Sequence, residues 1–210
     1  MRPSPIVYFL FFISGITAVT YEIVWTRMLT LVFGHTVFSV SVVLASFMAG
    51  LGLGSYLFGH AIDSLMDSSN TSSIKNTSIL IYGWIEILIF ASGFLLSILF
   101  ANFSGIYSSL YSFIPESIPL QNFIKIILAF GLMLIPTTLM GATLPVISQY
   151  CISDDTHLES KVGLLYAVNT LGAALGCLMT GYFLMDTFGV METVIMATGA
   201  NLLIGLGALS

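Results

Sequence analysis

Residues 37–60 have the sequence VFSVSVVLASFMAGLGLGSYLFGH and contain no Asp, Glu, Lys or Arg. A helix needs about 20 apolar residues to cross the hydrocarbon core of a bilayer, and this stretch exceeds that length. It lacks the regular alternation of polar and apolar residues that a membrane β-strand shows. Residues 37–60 therefore predict a helix that spans a membrane.

Five further apolar stretches of similar length predict five more spanning helices. The six predicted helices cover residues 5–31, 37–60, 78–100, 121–150, 162–185 and 190–208. The stretch 101–120 is too polar to span but rich in aromatic residues, so we predict that it lies at the membrane interface. The predicted fold class is an all-α integral membrane protein, with residues 1–210 in a single transmembrane domain.

The composition supports a membrane protein and argues against a self-contained enzyme. Hydrophobic residues make up 57% of the chain and charged residues 7%, whereas soluble domains carry roughly 25% charged residues. The sequence has no glycine-rich phosphate loop, no Walker lysine, no paired histidines at metal spacing and no serine elbow. We therefore expect no catalytic residues, no metal site, no cofactor and no nucleic-acid partner in this chain.

The distribution of basic residues predicts an orientation. With six spans, Arg2, Lys75 and Lys161 lie on the side of the N-terminus, and Arg27 and Lys125 lie on the opposite side. The more basic side of a membrane protein faces the cytoplasm. We predict a multi-pass protein of a bacterial or archaeal cytoplasmic membrane, with both termini cytoplasmic.

Two predicted helices carry the same pattern of glycines, and each is the second helix of a group of three. This match predicts two inverted three-helix repeats, as in half of a major-facilitator-like fold. The alternative is that small residues recur in both helices because they allow close packing. In either case we predict a packing role for the glycines of the pattern: Gly50, Gly54, Gly59, Gly172, Gly176 and Gly181.

Glu86 lies near the centre of the third predicted helix, within the segment 82–88, YGWIEIL. An ionised carboxylate at that depth costs several kcal/mol unless it is paired, hydrated or protonated. Glu86 is therefore either a proton- or cation-binding group that faces a cavity, or a protonated side chain that bonds a neighbouring helix. We take it as a candidate solute- or proton-site residue.

Glu22 and Arg27 lie within the segment 21–27, YEIVWTR, of the first predicted helix. Five residues of α-helix turn these side chains about 140° apart, so they are not a natural pair. Arg27 can extend to the nearer membrane interface, or it can bind an anionic group or a carboxylate on another helix. Both residues are candidates for the same solute or proton site.

Tyr166 and Asn169 share one face of the fifth predicted helix because they are three residues apart. Their polar groups either form hydrogen bonds between helices or contact a solute, so both join the list of candidate site residues. Pro136 and Pro145 lie within the fourth predicted helix and predict a kink or a break there.

Four segments in the same order resemble the membrane half of spermidine-synthase-like proteins, which joins a major-facilitator-like module to a polyamine aminopropyltransferase-like domain. They are 21–29 (YEIVWTRML, preceded by Ser14 and Gly15), 43–55 (VLASFMAGLGLGS), 141–145 (GATLP) and 162–173 (VGLLYAVNTLGA). The resemblance covers essentially the whole chain.

The resemblance implies a cytoplasmic domain of Rossmann type that uses decarboxylated S-adenosylmethionine and a polyamine. Residues 1–210 contain none of its glycine-rich and acidic motifs, so any aminopropyl transfer would need a domain beyond residue 210 or on another chain. We therefore expect a membrane module that anchors or partners such a domain and handles a small cationic solute such as a polyamine. The alternatives are a half-size secondary transporter that works as a homodimer, and a structural subunit of a membrane complex.

Overall fold

The structure, a computed structural model, describes residues 5–66, 71–103, 105, 117–152 and 158–210. Within these ranges the chain forms helices and no strands. The six long helices are α1 (Pro5–Phe33), α2 (Thr36–Met66), α3 (Thr71–Ala101), α4 (Ile118–Ile152), α5 (Leu158–Met179) and α6 (Val190–Leu209). A π-helical segment, Thr180–Leu184, and a short α-helix, Met185–Phe188, continue α5 without a break.

The six helices of the described part of the chain are long and apolar enough to cross a membrane. This finding confirms the prediction of an all-α protein with six spanning helices. As in other membrane bundles, large and mainly apolar side chains such as Leu31, Tyr182 and Leu203 are exposed on the outside. Lipid tails accept such side chains as readily as a protein core does.

Two helices extend well into a stretch that the sequence predicts as a polar loop, residues 63–77. Helix α2 continues to Met66, and α3 already begins at Thr71. Hydropathy marks the part of a helix that lies in the hydrocarbon layer, whereas the backbone hydrogen bonds of a helix continue into polar sequence as well. The predicted interfacial segment 101–120 is only partly described, because residues 104, 106–116 and the side chains of 118 and 119 lie outside the described residues.

Helix α4 is continuous from Ile118 to Ile152 although it contains Pro136 and Pro145. Of the predicted kink or break at these prolines, the break is therefore absent. A proline removes one hydrogen bond of the helix but leaves its neighbours in place, so a long helix that is packed along its length can continue through it.

The packing of the helices follows a regular scheme. The extensive contacts join α2 to α4, α1 to α5, α3 to α6, α3 to α4, and α1 to α6, and smaller ones join α1 to α2 and α4 to α5. Exchanging α1, α2 and α3 with α4, α5 and α6 turns the contact between α3 and α6 into itself and every other contact into a different contact of the set. The smaller contact between α1 and α3 has no equally extensive counterpart.

Glycines on α2 allow this helix to approach α4 closely. A Cβ atom at Gly50 would collide with the side chain of Thr137, and one at Gly54 would collide with the carbonyl oxygen of Thr138 and approach the backbone nitrogen of Ala142 to 2.8 Å. The backbones at this crossing are therefore too close for any side chain larger than hydrogen.

Glycines on α5 make the equivalent contact with α1. A Cβ atom at Gly172 would collide with the carbonyl oxygen of Phe12, and one at Gly176 would lie 2.6 Å from the carbonyl oxygen of Ile16. Four of the six glycines that the sequence predicts to pack helices thus lie at helix crossings.

The other two glycines of the pattern, Gly59 and Gly181, do not lie at a crossing. A Cβ atom at either position would meet no described atom within 4 Å, so the predicted packing role fails there. Each follows its preceding glycine by five residues rather than four. Five residues of α-helix rotate a side chain by about 140°, which takes it away from the face that packs.

A third close approach, between α3 and α6, was not predicted. A Cβ atom at Gly205 would lie 2.9 Å from the carbonyl oxygen of Gly83, and the reverse distance is 3.0 Å. The two glycines stand 122 residues apart. The same separation relates the glycines at the α2–α4 crossing to those at the α1–α5 crossing: Gly50 to Gly172, and Gly54 to Gly176.

Candidate functional site

A cavity of about 170 Å³ lies among the six helices. Cavities of about 150 Å³ in other proteins hold a molecule the size of benzene, so this one has room for a small organic solute. Each of the six helices contributes to its wall from near the middle of its span. The cavity therefore lies near the middle of the helix bundle along its length.

The wall of the cavity has a polar side and an apolar side. The polar lining residues come from α1, α4, α5 and α6: Ser14, Thr17, Glu22, Thr143, Asn169 and Asn201. The larger apolar lining residues come from α2, α3 and α4: Phe47, Leu51, Ile89 and Met140. Such a wall suits a solute with one polar end and one apolar end.

The separation of 122 residues also relates lining residues of α2 to those of α5. Phe47 corresponds to Asn169, and Leu51 corresponds to Ala173. All four residues line the cavity, although Phe47 is apolar and Asn169 is polar.

Helices α1 and α4 are related in the same way, by a separation of 126 residues. Gly15 and Thr17 of α1 correspond to Gly141 and Thr143 of α4. A Cβ atom at Gly15 would collide with the carbonyl oxygen of Asn169, and one at Gly141 would collide with that of Leu51. The two halves of the helix bundle thus bring corresponding residues to the cavity.

Glu22 contributes a carboxyl group to the cavity wall. The residue is half-buried and lines the cavity from α1. Within the described ranges, no side chain forms an ion pair or a hydrogen bond with this carboxyl group; the Thr26 hydroxyl bonds only the backbone carbonyl of Glu22. The carboxyl group is therefore available to a solute.

Glu86 lies directly behind the cavity wall and has no exposed surface. The Ser14 hydroxyl donates a hydrogen bond to Oε1 of Glu86 at 2.7 Å, and the Asn201 side-chain amide donates one to Oε2 at 2.5 Å. The Tyr21 hydroxyl in turn donates to Oδ1 of Asn201 at 3.1 Å. Because Ser14 and Asn201 both line the cavity, each connects Glu86 to it by a single side chain.

Tyr82 adds an unusual group to this cluster. Its side chain is completely buried, and its hydroxyl lies beside the carboxyl group of Glu86. The hydroxyl nevertheless forms no hydrogen bond of normal geometry with any atom that the structure describes. A buried polar group without a partner is unfavourable and calls for an explanation.

Two of the candidate site residues lie away from the cavity. Arg27 is exposed on α1, and it forms no ion pair with a described residue. Tyr166 is 63% exposed on the outer face of α5, where its backbone carbonyl accepts a hydrogen bond from the Thr170 hydroxyl. The structure thus brings Glu22, Glu86 and Asn169 together and leaves Arg27 and Tyr166 outside the site.

Sequence reasoning missed the four residues that surround Glu86: Ser14, Tyr21, Tyr82 and Asn201. Asn201 carries a detectable signal, because an amide in the middle of an apolar helix needs a partner from another helix. Tyr21 and Tyr82 carry a weaker one, since a buried phenolic hydroxyl usually finds a hydrogen-bond partner. Ser14 carries none. A hydroxyl group can bond a carbonyl of its own helix, as Thr17 bonds the Ser14 carbonyl at 2.9 Å, so its presence does not indicate a site.

The cavity combines one carboxyl group with amides and hydroxyls, which can form hydrogen bonds with a polar solute. Among the residues that the structure describes, no group of three or more His, Cys, Asp or Glu side chains could hold a metal ion. Comparison of the chain with protein-family models, with curated proteins and with solved structures found no match in any of the three.

Proposed function

We propose that the chain is a membrane module that binds a small cationic solute in the cavity between two inverted three-helix repeats. The observation that carries this proposal is the cavity itself. It lies near the middle of the helix bundle, its wall combines corresponding residues of both halves, and it contains the carboxyl group of Glu22. Secondary transporters built from inverted repeats place their solute sites in this position.

The contacts between α3 and α6 support the repeat. The backbones approach between Gly83 and Gly205, a Cβ at Gly83 would touch Leu209, and one at Gly205 would touch Ile87. Residue numbers thus rise along α3 as they fall along α6, as in antiparallel helices. The separation of 122 residues relates Gly83 to Gly205, and Ile87 to Leu209. The contact of Gly83 with Leu209 therefore corresponds to the contact of Gly205 with Ile87.

The number of helices determines how the two repeats are related. Each spanning helix reverses the direction of the chain, so after three spans the fourth helix enters from the opposite side of the membrane. Two repeats of three helices are therefore inverted with respect to each other, with an axis in the membrane plane. In this proposal the axis passes through the cavity, since both members of the pairs Thr17 with Thr143 and Phe47 with Asn169 line it.

The charge of the site favours a cation. Glu22 is the charged residue of the cavity wall, and Glu86 lies one side chain behind it, whereas no Lys or Arg lines the cavity in the described part of the chain. A positive charge at mid-membrane is stabilised by a carboxylate and by the side-chain oxygens of amides. An anionic solute would find no counter-charge there.

The size of the site favours a short amine. A volume of about 170 Å³ accommodates a butylammonium ion or putrescine, which are close to benzene in size. The apolar side of the wall, with Phe47, Leu51 and Ile89, suits the alkyl part of such a molecule. Spermidine is longer and would need a wider cavity.

The resemblance to spermidine-synthase-like membrane proteins agrees with an amine as solute. In this proposal the module sits in a cytoplasmic membrane with both termini inside and delivers or senses an amine for an aminopropyltransferase-like domain. A homodimer that transports the solute on its own is the alternative. It differs by predicting flux of the solute across a proteoliposome membrane that contains this chain alone.

Binding can be measured through Trp25, which lies next to the cavity. Its ring stacks on Tyr21 with 5.0 Å between centroids and lies 5.8 Å from Phe47, a lining residue. The only other tryptophan is Trp84, which is exposed. The variant Trp84→Phe therefore makes the fluorescence of the purified protein in nanodiscs report on the cavity.

The test compares butylammonium with 1-butanol, which has nearly the same shape but no charge. We expect a saturable fluorescence change with butylammonium and with putrescine, a much weaker one with 1-butanol, and at least tenfold weaker binding of the amines to Glu22→Gln. Equal responses to butylammonium and 1-butanol would refute a cation site. No saturable response to any probe would refute the binding function and favour a structural subunit.

A further inference from the structure

We propose that Glu86 carries a proton that leaves when a cation enters the neighbouring cavity, so that the module exchanges protons for its solute. This proposal rests on the proposed function, because it assigns the coupling ion of the same site. It is carried by the geometry of the buried cluster that Glu86 forms with Ser14, Tyr82 and Asn201.

The surroundings of Glu86 do not supply a counter-ion. Its two hydrogen-bond partners, the Ser14 hydroxyl and the Asn201 amide, are neutral, and its side chain has no exposed surface. A buried carboxylate without a cation is unfavourable, and a bound proton removes the charge. An empty cavity therefore leaves Glu86 neutral.

The Tyr82 hydroxyl provides for both protonation states. A phenolic hydroxyl can donate a hydrogen bond or accept one. It can accept a hydrogen bond from Glu86 while the carboxyl group is protonated, and it can donate one to the carboxylate after the proton has left. This explains why a buried hydroxyl without a fixed partner lies beside the carboxyl group.

The cluster is coupled to the cavity through two shared side chains. Ser14 and Asn201 bond the two oxygens of Glu86 and also line the cavity. A cation at the polar wall is thus separated from Glu86 by one side chain, and its charge stabilises the carboxylate. This coupling is reciprocal. The factor by which a bound cation weakens proton binding to Glu86 equals the factor by which a proton on Glu86 weakens the binding of the cation.

Few other titratable groups face Glu86. Helix α1 brings Tyr21 next to it and places Glu22 on the cavity wall, while Tyr82 lies on α3 itself. In the described ranges, α6 contributes the neutral amide of Asn201, and α4 contributes no ionisable side chain to the surroundings of Glu86. Glu22 is therefore the group whose protonation must be separated from that of Glu86 by experiment.

The exchange balances in charge. One proton leaves the carboxyl group of Glu86 and reaches the solution, while one monovalent cation enters the cavity. The total charge of the protein and its solute is unchanged. No oxidant, metal or covalent step is needed.

The experiment measures protons released per cation bound. Titration calorimetry of butylammonium into the wild-type protein is carried out in two buffers of different ionisation enthalpy. We expect release of about one proton per bound cation at a pH at which Glu86 is protonated in the empty protein, and an affinity that rises about tenfold per pH unit in that range. Binding without proton release, and without a change of affinity with pH, would overturn the exchange but leave the proposed binding function intact.

Matched variants assign the proton to one carboxyl group. Glu86→Gln keeps the shape of the side chain. We expect it to bind butylammonium without releasing a proton, and with an affinity independent of pH wherever Glu22 is ionised. Glu22→Gln should bind more weakly but still release a proton. The opposite result, with release abolished in Glu22→Gln and retained in Glu86→Gln, would overturn the assignment.

A spectroscopic measurement on the wild-type protein does not depend on how well the variants fold. Infrared difference spectra with and without butylammonium should show loss of the carbonyl band of a protonated carboxyl group on binding. The band should shift in Tyr82→Phe, which removes the hydroxyl beside Glu86 and keeps the ring. The absence of any protonated carboxyl band in the cation-free wild-type protein would overturn the proposal.

Discussion

The hydroxyl of Ser55 on α2 donates a hydrogen bond to the backbone carbonyl of Gly141 on α4, with 2.9 Å between the oxygen atoms. Pro145 lies four residues after Gly141 and has no N–H, so this carbonyl lacks its usual partner within the helix. Inside a bilayer, a backbone carbonyl without a partner is strongly unfavourable. Ser55 therefore replaces the hydrogen bond that Pro145 removes, and it links α2 to α4 near the cavity.

The first prediction follows from this compensation. Ser55→Ala should lower the free energy of unfolding by about 1 kcal/mol, because the Gly141 carbonyl is left without a partner. In a Pro145→Ala background the backbone N–H at position 145 can bond Gly141, so the same change should have little effect. Reversible unfolding in detergent micelles measures both. Equal losses in the two backgrounds would show that Ser55 does not compensate for Pro145.

The second prediction concerns two glycines on α2. Gly54→Ala places a methyl group against the Thr138 carbonyl of α4, so we expect the free energy of unfolding to fall by about 1–3 kcal/mol. Gly59→Ala meets open space and gains helix propensity, so it should be neutral or stabilising by up to about 1 kcal/mol.

The substitution Gly54→Ala has a counterpart on α5. Gly176→Ala should destabilise the protein by an amount similar to Gly54→Ala, because it meets the Ile16 carbonyl of α1 in the same way. The measurement is again unfolding in detergent. A destabilising Gly59→Ala together with a harmless Gly54→Ala would contradict the helix crossing described for α2 and α4.

Much of this architecture could be predicted from the sequence, because crossing a membrane imposes a simple rule on composition. Length and apolarity alone identified the six helices, and glycine spacing selected four glycines that lie at helix crossings without indicating which helices cross. The ends of α2 and α3 could not be predicted, since the polar residues around Met66 and Thr71 say nothing about where a helix stops outside the hydrocarbon layer. Gly59 was misassigned because spacing along the chain was used without the rotation of the helix.

The site was only half predictable for a similar reason. Glu22, Glu86 and Asn169 attracted attention because each is expensive in a membrane without a partner or water. The sequence also singled out Arg27 and Tyr166, but both side chains are exposed on the outside of the bundle and do not reach the cavity. Which face of a helix points inwards depends on its neighbours, and a single helix does not encode it.

The third prediction tests the polar side of the cavity. Asn169→Leu removes a polar side chain from the wall at nearly constant volume, so butylammonium should bind about tenfold more weakly, as expected for the loss of a hydrogen bond to a charged group. Phe47→Leu changes the corresponding position of the other half. It widens the apolar side, and it should improve the binding of spermidine relative to butylammonium.

Both variants can be assayed by the Trp25 fluorescence used for the wild-type protein. The two expected outcomes differ in kind, since one variant changes affinity and the other changes which length of amine is preferred. If Asn169→Leu bound butylammonium as well as the wild type, the amine would have to lie elsewhere in the cavity.

The fourth prediction concerns Asn201, which joins Tyr21 to Glu86. Asn201→Leu leaves the Tyr21 hydroxyl and one oxygen of Glu86 buried without these partners, so the free energy of unfolding should fall by about 2 kcal/mol or more. Part of this loss of free energy arises because the Tyr21 hydroxyl loses its hydrogen-bond acceptor. In a Tyr21→Phe background that hydroxyl is already gone, so Asn201→Leu should cost less there, and the two substitutions should not add. Unfolding of the two single variants and the double variant measures the coupling. A sum that equals the double variant would mean that the hydrogen bond from Tyr21 to Asn201 contributes nothing, and that Asn201 is held in the cluster by Glu86 alone.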